Sequence, residues 1–214
     1  MNITAHKAKL LLVDDHAIVR AGFRYLLEND ADYEIREVST AEEACRIYSE
    51  YKPDAVIMDL LMPGMGGLQG VRHIYAKDND ARVLVLSMRD DPMYVSQATK
   101  AGARGYVTKR SAPEELTRAV AVLIKGQSYL SADVAQMNTR SSKSDQEQIE
   151  SLTEREFEIF CLLADGHTVV NISIDLHLSA KTVSNHRTHI MNKFQATSIV
   201  DLTRLAIRNG LIEA

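Results

Sequence analysis

Hydrophobic and polar residues follow two alternating patterns along roughly the first 125 residues of the chain. Five short apolar runs, typical of strands, are separated by stretches in which apolar residues recur at helical spacing. The runs are 9–13, 33–38, 55–58, 82–87 and 105–108, and the helical stretches lie near 18–28, 41–51, 68–75, 93–101 and 114–125. This alternation predicts an α/β domain: a doubly wound, five-stranded parallel sheet with helices on both faces.

The pattern changes after residue 126. Residues 138–148 are polar and without periodicity, which favours a linker, and every later segment has helical spacing. Thr153, Thr168 and Ser179 are predicted helix caps, and Gly166 a helix stop. The predicted domains are therefore 8–126 (α/β), 127–149 (linker) and 150–214 (all-α, four helices).

Composition adds three constraints. Hydrophobic content is 45% and no apolar run reaches the length of a membrane span, so we expect a cytoplasmic protein without a membrane partner. Cys45 and Cys161 predict two free thiols rather than a disulfide. The net charge of −4 argues against nucleic acid, but residues 176–200 contain no Asp or Glu and several cations. A local basic surface of this kind favours contact with DNA.

Chemically capable residues stand where the predicted strands end. Open parallel α/β sheets bind ligands at the carboxyl ends of their strands. The residues expected at that edge are Asp14, Asp15, Asp59, Ser87 and Lys109. Any one of these acids alone is more often a helix cap or a solvated loop residue, but together they indicate a site.

Three neighbouring carboxylates repel one another, so a hard divalent cation such as Mg²⁺ is expected among them. A carboxylate beside Mg²⁺ and a lysine can attack a phosphoryl donor, because both cations stabilise the developing charge. Asp59 is the best placed, since the Met62-Pro63-Gly64 turn after it leaves the strand tip open.

The stretches "LLLVDDH", "DAVIMDLLMPGMGG", "VLVLS" and "GARGYVTK" resemble the receiver domain of two-component response regulators. The resemblance implies a flavodoxin-like sheet of order 2-1-3-4-5 with Asp59 as phosphoacceptor. It further implies that Asp14, Asp15, Asp59 and the Leu61 backbone carbonyl bind Mg²⁺. It assigns Ser87 as the mobile hydroxyl, Tyr106 as the aromatic switch and Lys109 as the phosphate-binding cation.

The second domain carries "LTEREFEI", "LHLSAKTVSNH" and "LAIRNGLI", which resemble the LuxR-type helix-turn-helix of the NarL/FixJ regulators. Finer matches, such as "GQSYLSADVAQ", are most like the GacA/UvrY group. By position in the motif, the base-reading candidates are Ser184, Asn185 and Thr188. The phosphate-contacting candidates are Lys181, Thr182, Arg187 and Lys193. His186 and His189 are expected to be surface residues rather than metal ligands.

The resemblance implies a response regulator that accepts a phosphoryl group from a sensor histidine kinase or a phosphotransfer domain. It then dimerises and binds double-stranded DNA. The receiver would catalyse only its own phosphoryl transfer and hydrolysis. One alternative is a DNA-binding regulator whose receiver responds to a bound partner instead of phosphorylation. Another is a phosphatase-type enzyme, but Leu61 stands where a second catalytic acid would be needed.

Overall fold

The computed structural model of the chain describes residues 7–90, 92–135, 148–209 and 211–212. These residues divide into two compact units: 7–89 with 98–135, and 90, 92–97, 148–209 with 211–212. Within these ranges, no helix has both the length and the apolar character needed to span a bilayer. Cys45 and Cys161 are both buried and are not joined by a disulfide.

The first unit is built on one parallel sheet of order β2-β1-β3-β4-β5-β6. Its strands are β1 (Lys9–Val13), β2 (Glu34–Val38), β3 (Ala55–Asp59), β4 (Val83–Ser87), β5 (Gly105–Thr108) and β6 (Tyr129–Leu130). The helices between residues 7 and 135 are α1 (Ala17–Asp30), α2 (Ala41–Tyr51), α3 (Gly67–Lys77), α4 (Pro92–Ala101), α5 (Ala112–Ile124) and α6 (Ala132–Ala135). Residues 92–97 of α4 belong to the second unit. The five predicted strands and five predicted helices are all present.

The sheet is buried on both faces. Leu10 and Leu12 of β1 belong to a core cluster with Phe23 of α1 and Leu116 of α5. Successive side chains of a strand point to opposite faces, so Leu11 and its equivalents on β3 and β4 face the other side, where they are equally buried. This two-sided burial explains why the strands are continuous apolar runs.

The sequence-based count of five strands is incomplete, because the sheet has a sixth strand within the predicted linker. The Tyr129 amide donates to the Arg104 carbonyl (3.1 Å), and the Ser131 amide donates to the Tyr106 carbonyl (3.0 Å). These backbone bonds attach β6 to the edge of β5, and α6 follows directly. A strand of two residues has no detectable periodicity. Most of the polar stretch 138–148 lies outside the described residues, and the predicted domain boundaries stay predictions.

The second unit contains α7 (Glu154–Ala164), α8 (Val169–Asp175), α9 (Ala180–Lys193) and α10 (Ile199–Arg208). The three predicted caps are confirmed. Thr153 forms a capping box with Glu156, Thr168 accepts from the Asn171 amide, and Ser179 accepts from the Thr182 amide. The helices α7, α8 and α9 therefore each begin where a short hydroxyl side chain satisfies an amide that lacks a partner within the helix.

A buried ion pair fixes the turn before α9. Arg155 donates to Glu158 at 2.7 Å and to the Leu176 carbonyl, at the end of α8, at 3.0 Å. Burial raises the pKa of Glu158 to about 7, although the Arg155 guanidinium opposes this shift. On α9, Val183 and Ile190 are buried, so the helix turns one fixed face inward and the opposite face outward.

Candidate functional site

Strand register brings the predicted residues to one edge of the sheet. Val13 of β1 pairs with Met58 of β3, so Asp14 and Asp59 are the next residues on adjacent strands. Ser87 of β4 pairs with Thr108 of β5, which places Lys109 one residue further. The Lys109 amide also donates to the Ser87 carbonyl at 2.7 Å. Residues distant in sequence therefore meet because their strands end together.

The centre of this edge is a lysine held between two carboxylates. The Lys109 ammonium donates to Asp14 Oδ2 and to Asp59 Oδ2, both at 2.7 Å. Asp59 is 3% and Asp14 1% exposed, so little water screens these contacts. Asp59 Oδ1 also accepts the Leu61 amide at 3.3 Å. The backbone and the lysine together fix the orientation of the Asp59 carboxylate.

The charges of this site shift its acid–base equilibria. Burial raises the pKa of Asp59 to about 6, although the neighbouring Lys109 ammonium lowers it. Burial alone lowers the pKa of Lys109, but the attraction of Asp59 and Asp14 outweighs it and the net shift is upward. At neutral pH, Asp59 is therefore a carboxylate facing an ammonium, which is the charge state that a phosphoryl-accepting nucleophile needs.

Asp14, Asp15, His16 and Asp59 each offer one ligand atom, and these atoms lie within 4.8 Å of one another. In the described part of the chain, Asp15 Oδ1 is buried without a hydrogen-bond donor. A buried carboxylate oxygen that lacks a donor is costly, and a divalent cation with oxygen ligands would relieve that cost. The residues present therefore fit a hard dication.

The two predicted switch residues contact the same amino acid. The Ser87 hydroxyl accepts the Arg89 amide at 3.0 Å, and the Tyr106 hydroxyl donates to the Arg89 carbonyl at 2.7 Å. Both side chains are almost completely buried. Their arrangement is therefore coupled through the backbone of the β4–α4 loop.

Two further features of this site were missed from the sequence. A Cβ at Gly67 would overlap the Asp59 carbonyl oxygen, so only glycine lets α3 begin this close to the site. The sequence feature that could have revealed this requirement is the pair of adjacent glycines, Gly66 and Gly67. Asp133 of α6 accepts the Thr108 hydroxyl at 2.6 Å and lies 3.6 Å from Arg110. It thus contacts both neighbours of Lys109, a contact between distant residues with no sequence signal.

The predicted DNA-contacting residues lie on α9, largely on its outward face. Lys181, Ser184, Asn185, Arg187, Thr188 and Lys193 are exposed, and Thr182 is half-buried. The Thr188 hydroxyl donates to the Ser184 carbonyl, and Thr182 contacts the Ser179 cap. Ser184, Asn185 and Arg187 are thus exposed polar residues in the central part of the helix.

Lys193 differs from Thr182 and Thr188 because its contacts reach residues outside α9 and its cap. Its ammonium donates to the Ser151 carbonyl at 2.8 Å and lies 3.6 Å from Glu156. Glu156 also lies 3.2 Å from His189 Nδ1. These contacts join the end of α9 to the start of α7, so Lys193 stabilises the domain whether or not it contacts DNA.

Comparison with known proteins agrees with this architecture. Residues 10–121 match the response regulator receiver domain, and residues 150–206 match the bacterial regulatory proteins of the luxR family. The chain is a two-component response regulator with a receiver domain and a LuxR-type helix-turn-helix. It belongs to the LuxR family of response regulators, as its sequence motifs predicted.

Individual relatives align over almost the whole chain. The response regulator GacA of Pseudomonas aeruginosa is 36% identical over 210 residues, covering 96% of this chain and 98% of GacA. The response regulator UvrY of Escherichia coli K12 is 36% identical over 209 residues, covering 96% of each. A solved structure of two RcsB dimers bound to two parallel DNAs is 26% identical, with a TM-score of 0.59, covering 94% of this chain and 98% of that one. The predicted likeness to GacA and UvrY is confirmed.

Proposed function

We propose that this response regulator accepts a phosphoryl group on Asp59 and, in that form, regulates transcription. The donor would be a phosphohistidine of a sensor kinase or of a phosphotransfer domain. The observation that carries the proposal is the Lys109 ammonium, 2.7 Å from both Asp59 and Asp14 at the open edge of the sheet. A nucleophile with a fixed cation beside it can hold the oxygens of an incoming phosphoryl group.

In the transfer step, an Asp59 carboxylate oxygen bonds to phosphorus while the bond from phosphorus to the donor nitrogen breaks. The electron pair leaves with the donor imidazole. Lys109 would move from the carboxylates to the phosphoryl oxygens and balance their charge. In a separate hydrolysis step, water attacks the phosphorus atom, the bond from phosphorus to the Asp59 oxygen breaks, and inorganic phosphate leaves, which restores the Asp59 carboxylate. We infer no catalysis beyond this self-directed transfer and hydrolysis.

Asp14, Asp15, Asp59 and the Leu61 backbone carbonyl are the residues proposed to hold Mg²⁺. When bound, Mg²⁺ supplies positive charge to the phosphoryl oxygens. The buried Asp15 Oδ1, which lacks a hydrogen-bond donor among the described residues, supports this assignment.

Ser87 and Tyr106 are proposed to transmit the change. If the Ser87 hydroxyl turns to a phosphoryl oxygen, it releases the Arg89 amide. The Arg89 carbonyl, which accepts from Tyr106, belongs to the same residue and would be disturbed with it. The predicted outcome is a changed receiver surface that favours a homodimer.

The dimer is proposed to bind double-stranded DNA through two copies of α9, a function that would place the protein in the cytoplasm. Ser184, Asn185 and Thr188 would contact base edges, whereas Lys181, Thr182, Arg187 and Lys193 would contact phosphates. The solved RcsB dimers on DNA support this arrangement by similarity.

The phosphorylation test is incubation with acetyl phosphate and Mg²⁺, with the modified residue located by mass spectrometry of peptides. Asp59→Asn should abolish modification, and Asp32→Asn, a change at an exposed acid, should leave it unchanged. A modification rate unaffected by Asp59→Asn would refute the site.

The DNA test is capture of genomic fragments by the purified protein, with and without acetyl phosphate and Mg²⁺, followed by sequencing. Fragments enriched only after phosphorylation support the complete proposal. Equal enrichment in both conditions, with Asp59 modified, would support the alternative in which a bound partner controls the receiver.

A further inference from the structure

An imidazole stands beside the acidic cluster, and none of the roles above uses it. His16 follows Asp14 and Asp15 directly. Its Nδ1 atom lies 2.9 Å from Asp15 Oδ1 and 3.7 Å from Asp14 Oδ1. The ligand atoms of these three residues and of Asp59 share one small volume, 4.8 Å or less across.

The His16 side chain does not cap the helix that follows it. His16 is the N-cap residue of α1, where a hydroxyl, carboxylate or amide side chain would usually bond to the helix. The His16 side chain makes no such bond, and it is 65% exposed. The backbone is nevertheless held, because the His16 amide donates to Asp14 Oδ1 at 2.8 Å. The imidazole is therefore free of the helix while fixed near the cluster.

The approach of His16 to Asp15 lacks the alignment of a hydrogen bond. Asp15 Oδ1 is buried without a hydrogen-bond donor in the described ranges, despite the imidazole nitrogen 2.9 Å away. The two atoms thus lie side by side. Around a six-coordinate cation with bonds of about 2.1 Å, neighbouring ligand atoms are about 3 Å apart. The observed separation matches that of two ligands of one ion.

We propose that His16 is a further protein ligand of the cation site, and that it makes the site select a first-row transition-metal dication, such as Mn²⁺, over Mg²⁺. The inference rests on the cation site of the proposed function. Carboxylates, carbonyls and water suit both Mg²⁺ and Mn²⁺, whereas imidazole is a ligand typical of transition metals and not of Mg²⁺. Removal of the imidazole should therefore weaken Mn²⁺ binding far more than Mg²⁺ binding.

The test uses the full-length chain with Mn²⁺ as a spectroscopic probe. Pulsed electron paramagnetic resonance detects nitrogen bound to Mn²⁺, and labelling histidine with ¹⁵N identifies its source. We expect an imidazole nitrogen signal that His16→Gln removes. The matched control is His73→Gln, a change at an exposed histidine of α3, which should keep the signal.

Equilibrium titrations give the second measurement. His16→Gln should weaken Mn²⁺ binding about tenfold and Mg²⁺ binding less than about twofold. A missing nitrogen signal, a signal that survives His16→Gln, or equal losses for the two ions would each overturn the inference. Circular dichroism melting confirms that the variants fold.

Asp15→Asn separates this inference from the proposed function. If Asp15→Asn weakens binding of both ions while His16→Gln changes neither, the acidic site stands and the role of His16 is wrong. If Asp15→Asn leaves both ions bound as tightly as before, the cation site itself is wrong, and the role of His16 fails with it.

Discussion

The acidic site and the recognition helix α9 differ in how far the folded chain fixes their functional atoms. Asp59 and Lys109 are held by each other, by Asp14 and by backbone amides, in a setting nearly closed to solvent. On α9, by contrast, Asn185 and Arg187 project into solvent. Bond-making requires its reacting groups to be positioned in advance, whereas base readout requires side chains that a partner can reach. A protein's own contacts therefore reveal the first kind of site better than the second.

The largest expected effect is on the acidic site. Lys109→Ala removes the cation that orients Asp59, so phosphorylation by acetyl phosphate should slow by about 10²–10³-fold. Lys125→Ala, at an exposed lysine, is the control. Quench-flow or gel measurement of the phosphorylated fraction gives the rates. A decrease in the phosphorylation rate of less than about tenfold would mean that the contact of Lys109 with Asp59 contributes little to phosphoryl transfer.

Asp59 should also make stability depend on pH in the absence of a divalent cation. Its pKa is about 6 in the folded chain, above the ordinary value of 3.8, so between these pH values only the folded state holds the proton. The free energy of unfolding should therefore fall with rising pH, by about 3 kcal/mol in total. Urea unfolding from about pH 4 to pH 7 measures this slope, and Asp59→Asn should remove it. An identical slope in the variant would show that other groups cause it.

The recognition helix should respond in two separable ways. Asn185→Ala should weaken binding to the captured target by about 2 kcal/mol and leave random DNA unaffected. Lys181→Ala should weaken binding to both the target and random DNA. It should also reduce the slope of log K against log salt concentration by about 1. Fluorescence anisotropy with target and random duplexes distinguishes these outcomes. If both variants lose affinity equally for both duplexes, Asn185 is not a base reader.

The smallest expected effect concerns the strand edge that the sequence did not predict. Thr108→Val and Asp133→Ala should each destabilise the chain by about 1–2 kcal/mol, because each removes one partner of the 2.6 Å hydrogen bond between these residues. The double variant should cost less than the sum of the two. Additive losses in urea unfolding would mean that the contact does not couple them.

Most of the fold followed from the sequence, because hydrophobic periodicity records which elements are buried. The residues of the acidic site were predictable for a related reason. An apolar run that stops at a polar residue indicates the carboxyl end of a strand, and the runs of β1, β3 and β4 stop at Asp14, Asp59 and Ser87. The missed features all depend on distant contacts. β6 is held by amides that pair with Arg104 and Tyr106, and the need for glycine at residue 67 arises from the Asp59 carbonyl.

The predicted DNA-contacting residues show the same limit of prediction from sequence. Its exposed face could be derived from the burial of Val183 and Ile190, which recur at helical spacing. The contacts of Lys193 with Ser151 and Glu156 could not be predicted from the sequence, because they join positions that are far apart along the chain. Periodicity determines which side of a helix faces outward but not which of its charges is already engaged.

The two switch contacts to Arg89 use its amide and its carbonyl, not its side chain. The connection between Ser87 and Tyr106 is therefore independent of residue type at this position, provided that the residue has an amide hydrogen. If Ser87 and Tyr106 act as the proposed switch, replacing the Arg89 side chain would leave both of these backbone contacts in place. Only proline at this position would remove the amide that donates to Ser87.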